Sequence, residues 1–366
     1  MMKNMYRIGL ACMSILLVAC SSNDNNGTTE PTTNEFQVQS LVSDVTNQHI
    51  ITNVTLFLNQ ATTFETQVNN YLIDLNEAAL ESARTQWRQT AISYGKVYTF
   101  NIGLIRDQFT HQALYNWPTI TNAVENFISD PSEITEVYVQ NLSPQAKTLS
   151  TLEYLLFKTD IAATNTEFVN SENRRNYLKY VVKELKTRAA KLVNTWSESG
   201  DNYKTTFIEN TSTGIDASFS LLYNGIYNLI DTGKVTKIGK PAGLENSQNT
   251  NPEATQAHFS NTSLAILKEN IESVEDVYFN TQGLGISDYV AHVTDNEVLN
   301  TAIRTKINEV YAAIDAFPVP LFDAITSNST TVGTLHEKLN ELGVLFSVDV
   351  RSILSITITS TDNDGD

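Results

Sequence analysis

The chain is short of cysteine, proline, glycine and positive charge. Its 366 residues include only 2 Cys, which excludes a disulfide-stapled scaffold and any Cys-rich zinc or iron–sulfur centre. With 8 Pro and 15 Gly it has too few chain reversals for a β-sandwich or barrel, so long uninterrupted helices are expected. Lys and Arg number 24 against 41 Asp and Glu, a formal charge of -17. Such a surface repels polyanions, and nucleic acid is excluded as a partner. Apolar bulk, in contrast, is plentiful: 41% of residues are hydrophobic, with 15 Phe, 15 Tyr and 3 Trp, enough for a substantial core.

An apolar run over 8–18 follows Lys3 and Arg7 and is closed by Leu17-Val18-Ala19-Cys20. It is too short for an ordinary membrane span, and a small residue before Cys resembles the bacterial lipobox. Residues 1–19 are therefore expected to be a lipoprotein signal peptide, with Cys20 lipidated and Cys12 lost with the leader. Residues 21–35 contain only Ser, Asn, Asp, Glu, Gly, Thr and Pro, so 20–35 reads as a flexible tether with nothing to bury. Acyl chains contribute roughly 0.8 kcal/mol per buried CH2, and two or more hold a protein stably at a membrane. Membrane lipid, through Cys20, is the first expected partner. The expected place is the cell envelope, anchored to the outer membrane.

From Phe36 onward the pattern is helical. Tyr177, Leu178, Val181, Val182, Leu185, Ala189, Leu192, Val193 and Trp196 form one stripe over 174–196, while Lys179, Lys183, Glu184, Lys186 and Lys191 form the expected solvent face. Leu264, Leu267, Ile271, Val274 and Tyr278 make a second stripe, with Ser260 and Ser263 as candidate N-caps. Ile303, Ile307, Val310, Tyr311 and Ile314 make a third, stopped by Pro318 and Pro320. Further helices are predicted over 37–60, 63–75, 76–100, 120–129, 148–157, 216–232 and 334–342. The expectation is an all-α protein of two helical bundles, 36–200 and 201–366, divided where Ser199-Gly200-Asp201-Asn202 interrupts the pattern. Gly233, Gly239, Pro241, Gly243 and Pro252 mark 233–252 as a long irregular loop.

Four segments in order carry a family likeness. They are Gln86-Trp87 through Tyr94, Phe100 and Gly103 to Trp117-Pro118; Leu149-Ser150-Thr151-Leu152-Glu153-Tyr154-Leu155-Leu156-Phe157; Lys237-Ile238-Gly239-Lys240-Pro241-Ala242-Gly243 with His258-Phe259-Ser260-Asn261-Thr262-Ser263; and Ile353-Leu354-Ser355 through Thr359 to Asp364-Gly365-Asp366. Together they resemble the imelysin family, also described as insulin-cleaving metalloproteinase outer-membrane proteins, over nearly all of the mature chain. The resemblance implies two all-helical halves, export, a frequent link to iron uptake, and a site between the halves built on Gly-x-His-x-x-Glu. Here that motif reads Thr148-Leu149-Ser150-Thr151-Leu152-Glu153. The Gly position is Thr148, the His position is Ser150, and Glu153 alone is retained. An acidic residue the family often carries in the second half is replaced by Gln256.

A His and a Glu three apart on a helix can share one divalent cation, whereas a Ser hydroxyl is a poor substitute for imidazole. Glu153 alone offers a weak oxygen site for a divalent metal or iron, and a hydrolytic water gains no visible activation. Ser150 as a nucleophile lacks a base and an oxyanion hole. His49, His111, His258, His292 and His336 are scattered; His258 and His111 lie in or near family-like segments, and His336 reads as surface decoration. The candidate ligand-binding residues are Ser150, Glu153, Trp117, Gln256, His258 and Ser260, and no catalytic residue is assigned. For Glu153 the plain alternative is a salt bridge to Arg84, Arg88 or Arg106. For Trp117-Pro118 it is core filling plus Pro in a first helical turn. Asp362, Asp364 and Asp366 read as a solvated tail, since the chain ends before an EF-hand loop could close.

The function expected from these residues is a non-catalytic binding protein that holds a small ligand, a metal complex or a partner protein between its halves. A divergent metallopeptidase using Glu153 with His258 is the first alternative. A structural component working with envelope uptake proteins is the second.

Overall fold

The computed structural model describes residues 35–245 and 249–359, and among them there is no strand. The leader, Cys20, nearly all of the tether and the C-terminal aspartates lie outside the described residues. From Phe36 onward the chain is one compact unit. Among the described residues no helix is long and apolar enough to cross a membrane.

The expected stripes become core faces. The helix Glu172–Trp196 buries Tyr177, Leu178, Val181, Val182, Leu185, Ala189, Leu192 and Trp196. It starts where the Ser171 hydroxyl accepts the Arg174 N–H at 3.2 Å, one of the four donors that a helix start leaves unmatched. Its outer face holds Lys183 to Glu136 at 2.6 Å and Lys186 to Glu65 at 2.7 Å. Glu184, expected on that face, is instead buried against Arg188. The second and third stripes are the helices Ser263–Phe279 and Val298–Asp315.

Two expected interruptions do not occur. The runs 37–60 and 63–75 join through Ile51–Ile73, preceded by a π-turn at Thr46–Ile50. Ala61 is fully buried, and the Thr62 and Thr63 hydroxyls donate back to the carbonyls of Leu58 and Asn59 at 2.8 and 3.0 Å. The threonines therefore satisfy themselves within the helix instead of breaking it. The loop expected over 233–252 is corrected in its first half, where Ser218–Thr232 continues as a π-helix, Gly233–Gly239, and then as Lys240–Ala242, while the described residues between Gly243 and Asn251 are irregular as expected. Gly233 permits this because a Cβ there would lie 3.1 Å from Leu267 Cδ1. The wider π-turn brings Lys237 into the interior. Shorter helices such as Ile161–Asn170, Tyr203–Glu209 and Ile286–Thr294 fall outside the predicted set; most are too brief for a repeated stripe.

The two halves of the sequence meet along Glu77–Tyr98 and Ser263–Phe279. A Cβ at Gly95 would stand 3.0 Å from Glu269 Cβ, so glycine allows the helices to touch. Asn270 Nδ2 donates to the Gly95 carbonyl at 2.6 Å, and Thr99 Oγ1 donates to Ser273 Oγ at 2.7 Å. Lys96 reaches Asp276 at 3.0 Å. Gly225, on Ser218–Thr232, makes a second close approach: a Cβ there would sit 2.5 Å from the Thr99 carbonyl oxygen and 2.9 Å from Ile102 Cγ2. Because one of these atoms is backbone, Gly225→Ala is expected to destabilise by about 1–3 kcal/mol. Urea unfolding would show this as a lower midpoint at an unchanged slope.

Candidate functional site

The helix Leu149–Phe157 is buried along its whole length. The indole N–H of Trp87 donates to the Leu149 carbonyl at 3.0 Å, and a capping box between Thr148 and Thr151 closes the N-terminus. The preceding segment is tied to the same end. Asn116 N–H donates to Thr148 Oγ1 at 3.3 Å, and Ser150 Oγ donates to the Asn116 carbonyl. Ser150 therefore works as a structural hydroxyl at a helix start.

One turn later Glu153 is 3% exposed, and its carboxylate is met from the second half. Ser260 N–H donates to Oε1 at 2.8 Å, and Ser260 Oγ lies 2.9 Å from the same oxygen. The Phe259 backbone N–H also acts on the carboxylate. Successive amides can converge because the turn contains left-handed residues, Ala257 at φ 55 and Asn261 at φ 58, which is the geometry of a small anion nest. Burial pushes the Glu153 pKa up to about 7, against the lowering effect of these donors.

Ser260 thus caps a carboxylate rather than the helix Ser263–Phe279, whose N-cap is Thr262. Ser263 donates to the Gln256 carbonyl. The arginine partners expected for Glu153 are occupied elsewhere: Arg84 donates to Leu156 O at 2.7 Å, Arg88 pairs with Glu81 at 3.5 Å, and Arg106 with Asp107 at 3.7 Å.

Behind Glu153 lies a buried polar and aromatic cluster. The Tyr115 hydroxyl faces Glu153 and the Gln256 amide, which acts on it as a hydrogen-bond donor, and Gln256 Oε1 is buried without a partner among the described residues. Burial and the Glu153 charge hold the Tyr115 pKa well above the usual phenol value. The Tyr115 ring packs 5.7 Å from Trp117, which stands 6.0 Å from His111. The Trp117–Pro118 peptide is cis, and Pro118 lies ahead of the helix Thr121–Ser129 rather than in its first turn.

His111 stacks on Tyr98 at 3.9 Å, and its Nδ1 is 2.9 Å from the Tyr94 hydroxyl. Lys237, 4% exposed, donates to Asn270 Oδ1 and lies 5.9 Å from the Tyr98 ring and 5.7 Å from Trp117. Burial without an anionic partner lowers the Lys237 pKa to about 7. Burial, assisted by Lys237, lowers that of His111 to about 3.

Buried His111 makes the fold sensitive to acid. Its folded pKa is depressed, so between pH 6.5 and 3 the unfolded chain takes up a proton that the folded chain refuses. Stability is then lost as pH falls through that window, by up to about 3 kcal/mol between pH 7 and 4. His111→Phe, which keeps the stack, is expected to remove that part of the acid sensitivity in paired urea titrations at the two pH values.

The donors around Glu153 do not make a cage for a divalent metal. Glu153 is the only anionic group in the nest, it is occupied by N–H and O–H donors, and Ser150 directs its proton to a carbonyl. Among the described residues no three His, Cys, Asp or Glu side chains are grouped to hold an ion. These residues do not fit a bare metal ion.

Outside the nest, a groove of about 740 Å³ runs past Tyr154, Phe157, Lys158, His258, Phe259 and Phe322, within the range of small-molecule sites. Tyr154 meets Phe259 edge-on at 5.5 Å. The His258 ring lies 4.0 Å from Phe259 and stacks on Phe322 at 5.4 Å. His258 Nδ1 is 3.0 Å from the Thr255 carbonyl, and burial lowers its pKa.

Of the residues singled out from sequence, Glu153 and Ser260 touch, Gln256 and Trp117 join them through Tyr115, Ser150 faces Asn116, and His258 lines the neighbouring groove. His336 is corrected from surface decoration: it is partly buried and its Nε2 lies 2.7 Å from Glu245. Tyr115, Lys237, Tyr98 and Phe322 join the cluster and groove although, Lys237 apart, their sequence positions point to no site role. For Lys237 the signals in the sequence are its place at the head of a family-like segment and its isolation among the neutral residues Val235, Thr236, Ile238 and Gly239.

The family model described as imelysin, peptidase M75, matches residues 50–345. No curated protein matches the chain. A solved structure of a candidate iron-regulated protein A precursor from Parabacteroides distasonis is similar, with a TM-score of 0.70 at 18% identity, covering 87% of this chain and 95% of that one. An imelysin-like protein from Psychrobacter arcticum is similar with a TM-score of 0.71 at 17% identity, covering 88% and 96%. At these identities the likeness establishes a shared fold.

Proposed function

Because the chain belongs to the imelysin family, we propose that it is a non-hydrolytic, lipid-anchored protein of the cell envelope. It binds a ligand or metal complex in the groove between its halves and serves iron uptake. Membrane lipid at Cys20 and envelope uptake proteins are its partners. The observation that carries this reading is the state of Glu153: the retained acid of the family motif accepts the Ser260 N–H and lies against its hydroxyl. It is built into the junction between halves instead of standing ready for water or metal. The iron-regulated name of the Parabacteroides distasonis protein supports the link to iron.

A second reading, a divergent metallopeptidase, is favoured by one feature. A carboxyl whose pKa lies at about 7 is poised where general bases operate. The two are separated by incubating the protein with an unfolded polypeptide and Zn(II), with and without chelator. No cleavage above buffer is expected. Chelator-sensitive cleavage that disappears in Glu153→Gln would establish the peptidase instead.

A further inference from the structure

His258 is the one side chain of the groove with an unshared donor nitrogen. Its Nδ1 is engaged by the Thr255 carbonyl at 3.0 Å, which makes Nδ1 the protonated nitrogen and leaves Nε2 with its lone pair. Among the described residues the hydrogen bond of the ring is made by Nδ1, so Nε2 is the nitrogen left to meet a ligand. A carbonyl anchor on the distal nitrogen is the arrangement that fixes tautomer and ring orientation in metal-ligating histidines. The ring is further clamped by Phe322 and Phe259.

One imidazole cannot hold a bare ion, which needs three or more protein ligands. The nearest acidic residue of the groove, Glu253, acts on His258 only electrostatically, and no three-membered ligand group exists among the described residues. A metal that arrives with its equatorial positions already filled needs only one more donor. The groove walls match such a ligand. Tyr154, Phe157, Phe259 and Phe322 offer ring faces and edges to a flat apolar body. Its two charged residues, Lys158 and Glu253, are of opposite sign, and Lys158 is already paired with Glu125 at 2.9 Å and Glu167 at 3.0 Å. Ring contact and a metal–nitrogen bond, rather than net charge, would therefore supply the affinity.

We propose that the groove binds a planar, metal-centred macrocycle of the metalloporphyrin class, with His258 Nε2 as the protein's ligand to the metal. The inference rests on the reading of this groove as the binding site and adds the ligand class and the coordinating atom. Imidazole suits iron, and a single His holds haem iron in several protein classes.

The test is a titration of the purified full chain with ferric protoporphyrin IX, read by the Soret band, alongside metal-free protoporphyrin IX, read by fluorescence quenching. Expected are saturation at one equivalent with a shifted Soret band, and binding of the metal-free ring weaker by roughly ten-fold or more. His258→Ala should lose the shift and bind ferric protoporphyrin at least roughly ten-fold more weakly, and added imidazole should restore the shift. His111→Phe, altered in the enclosed cluster, should behave as wild type. An unshifted band in the wild type, or the same shift in His258→Ala, overturns the proposal. If His258→Ala keeps both spectrum and affinity while Phe322→Ala loses binding, the coordinating atom is wrong and the groove reading stands. If neither variant alters binding, the groove reading fails with it.

Discussion

Glu153→Gln is expected to make the protein more stable at pH 8 by up to about 3 kcal/mol and to leave it nearly unchanged at pH 4. In the folded chain the carboxyl is buried and its pKa is raised to about 7, whereas in the unfolded chain it ionises near its ordinary value. Below that ordinary value both states are protonated and the group is neutral in each. As pH rises toward 7 the unfolded state ionises first, so stability is lost across that window and stays lost above it. A glutamine carries no charge to desolvate, and its Oε1 can still accept from Ser260 N–H and Oγ, which now stand at 2.8 and 2.9 Å. Urea unfolding of both proteins at pH 4 and 8 checks the prediction. A variant less stable at pH 8 would mean that the ionised carboxylate is itself what ties the two halves together, so that the nest donors outweigh desolvation. In either case the retained acid is a junction element, and it places the groove wall of Phe259 and His258 against Tyr154.

The long amphipathic helices were legible because their periodicity is a direct record of burial. Tyr177 to Trp196 is one stripe in sequence and one buried face in the fold. The same logic failed at Gly233 to Pro241. Glycine and proline normally punctuate, but here a π-helix absorbs them, since close packing against Leu267 rewards the missing side chain at Gly233. The importance of Glu153 was visible in sequence, but its partner was not. A serine that looks like an N-cap can equally well present its N–H and hydroxyl to an acid more than a hundred residues earlier, as Ser260 does. Tyr115 and Phe322 carry no pattern at all. Their roles exist only once the halves are packed, because an aromatic that lines a groove and one that fills a core are the same residue in sequence.

Lys237→Met is expected to reverse sign with pH, giving a more stable protein at pH 6 and a less stable one at pH 10. The wild-type ammonium is enclosed by Tyr98 and Trp117 with one neutral partner, Asn270, and burial lowers its pKa to about 7. Below that value both states are charged, and the folded chain bears the whole desolvation penalty. Between 7 and the ordinary lysine value the unfolded chain holds a proton that the folded chain has released, so wild-type stability climbs with pH, by about 4 kcal/mol from pH 6 to 10. Methionine has no such slope. It removes the penalty at pH 6, but it leaves Asn270 Oδ1 without a donor at every pH, a loss of about 1–3 kcal/mol. The two curves are therefore expected to cross. Paired urea titrations at pH 6, 8 and 10 would locate the crossing, and parallel curves would show that Lys237 keeps its charge in the folded protein, held by the rings of Tyr98 and Trp117. The substitution also bears on the enclosed cluster, because the Lys237 ammonium is charged throughout the pH range in which His111 titrates and helps to suppress its protonation. Lys237→Met is accordingly expected to raise the His111 pKa from about 3, which NMR titration of the imidazole in the variant would detect as a shift toward the ordinary histidine range.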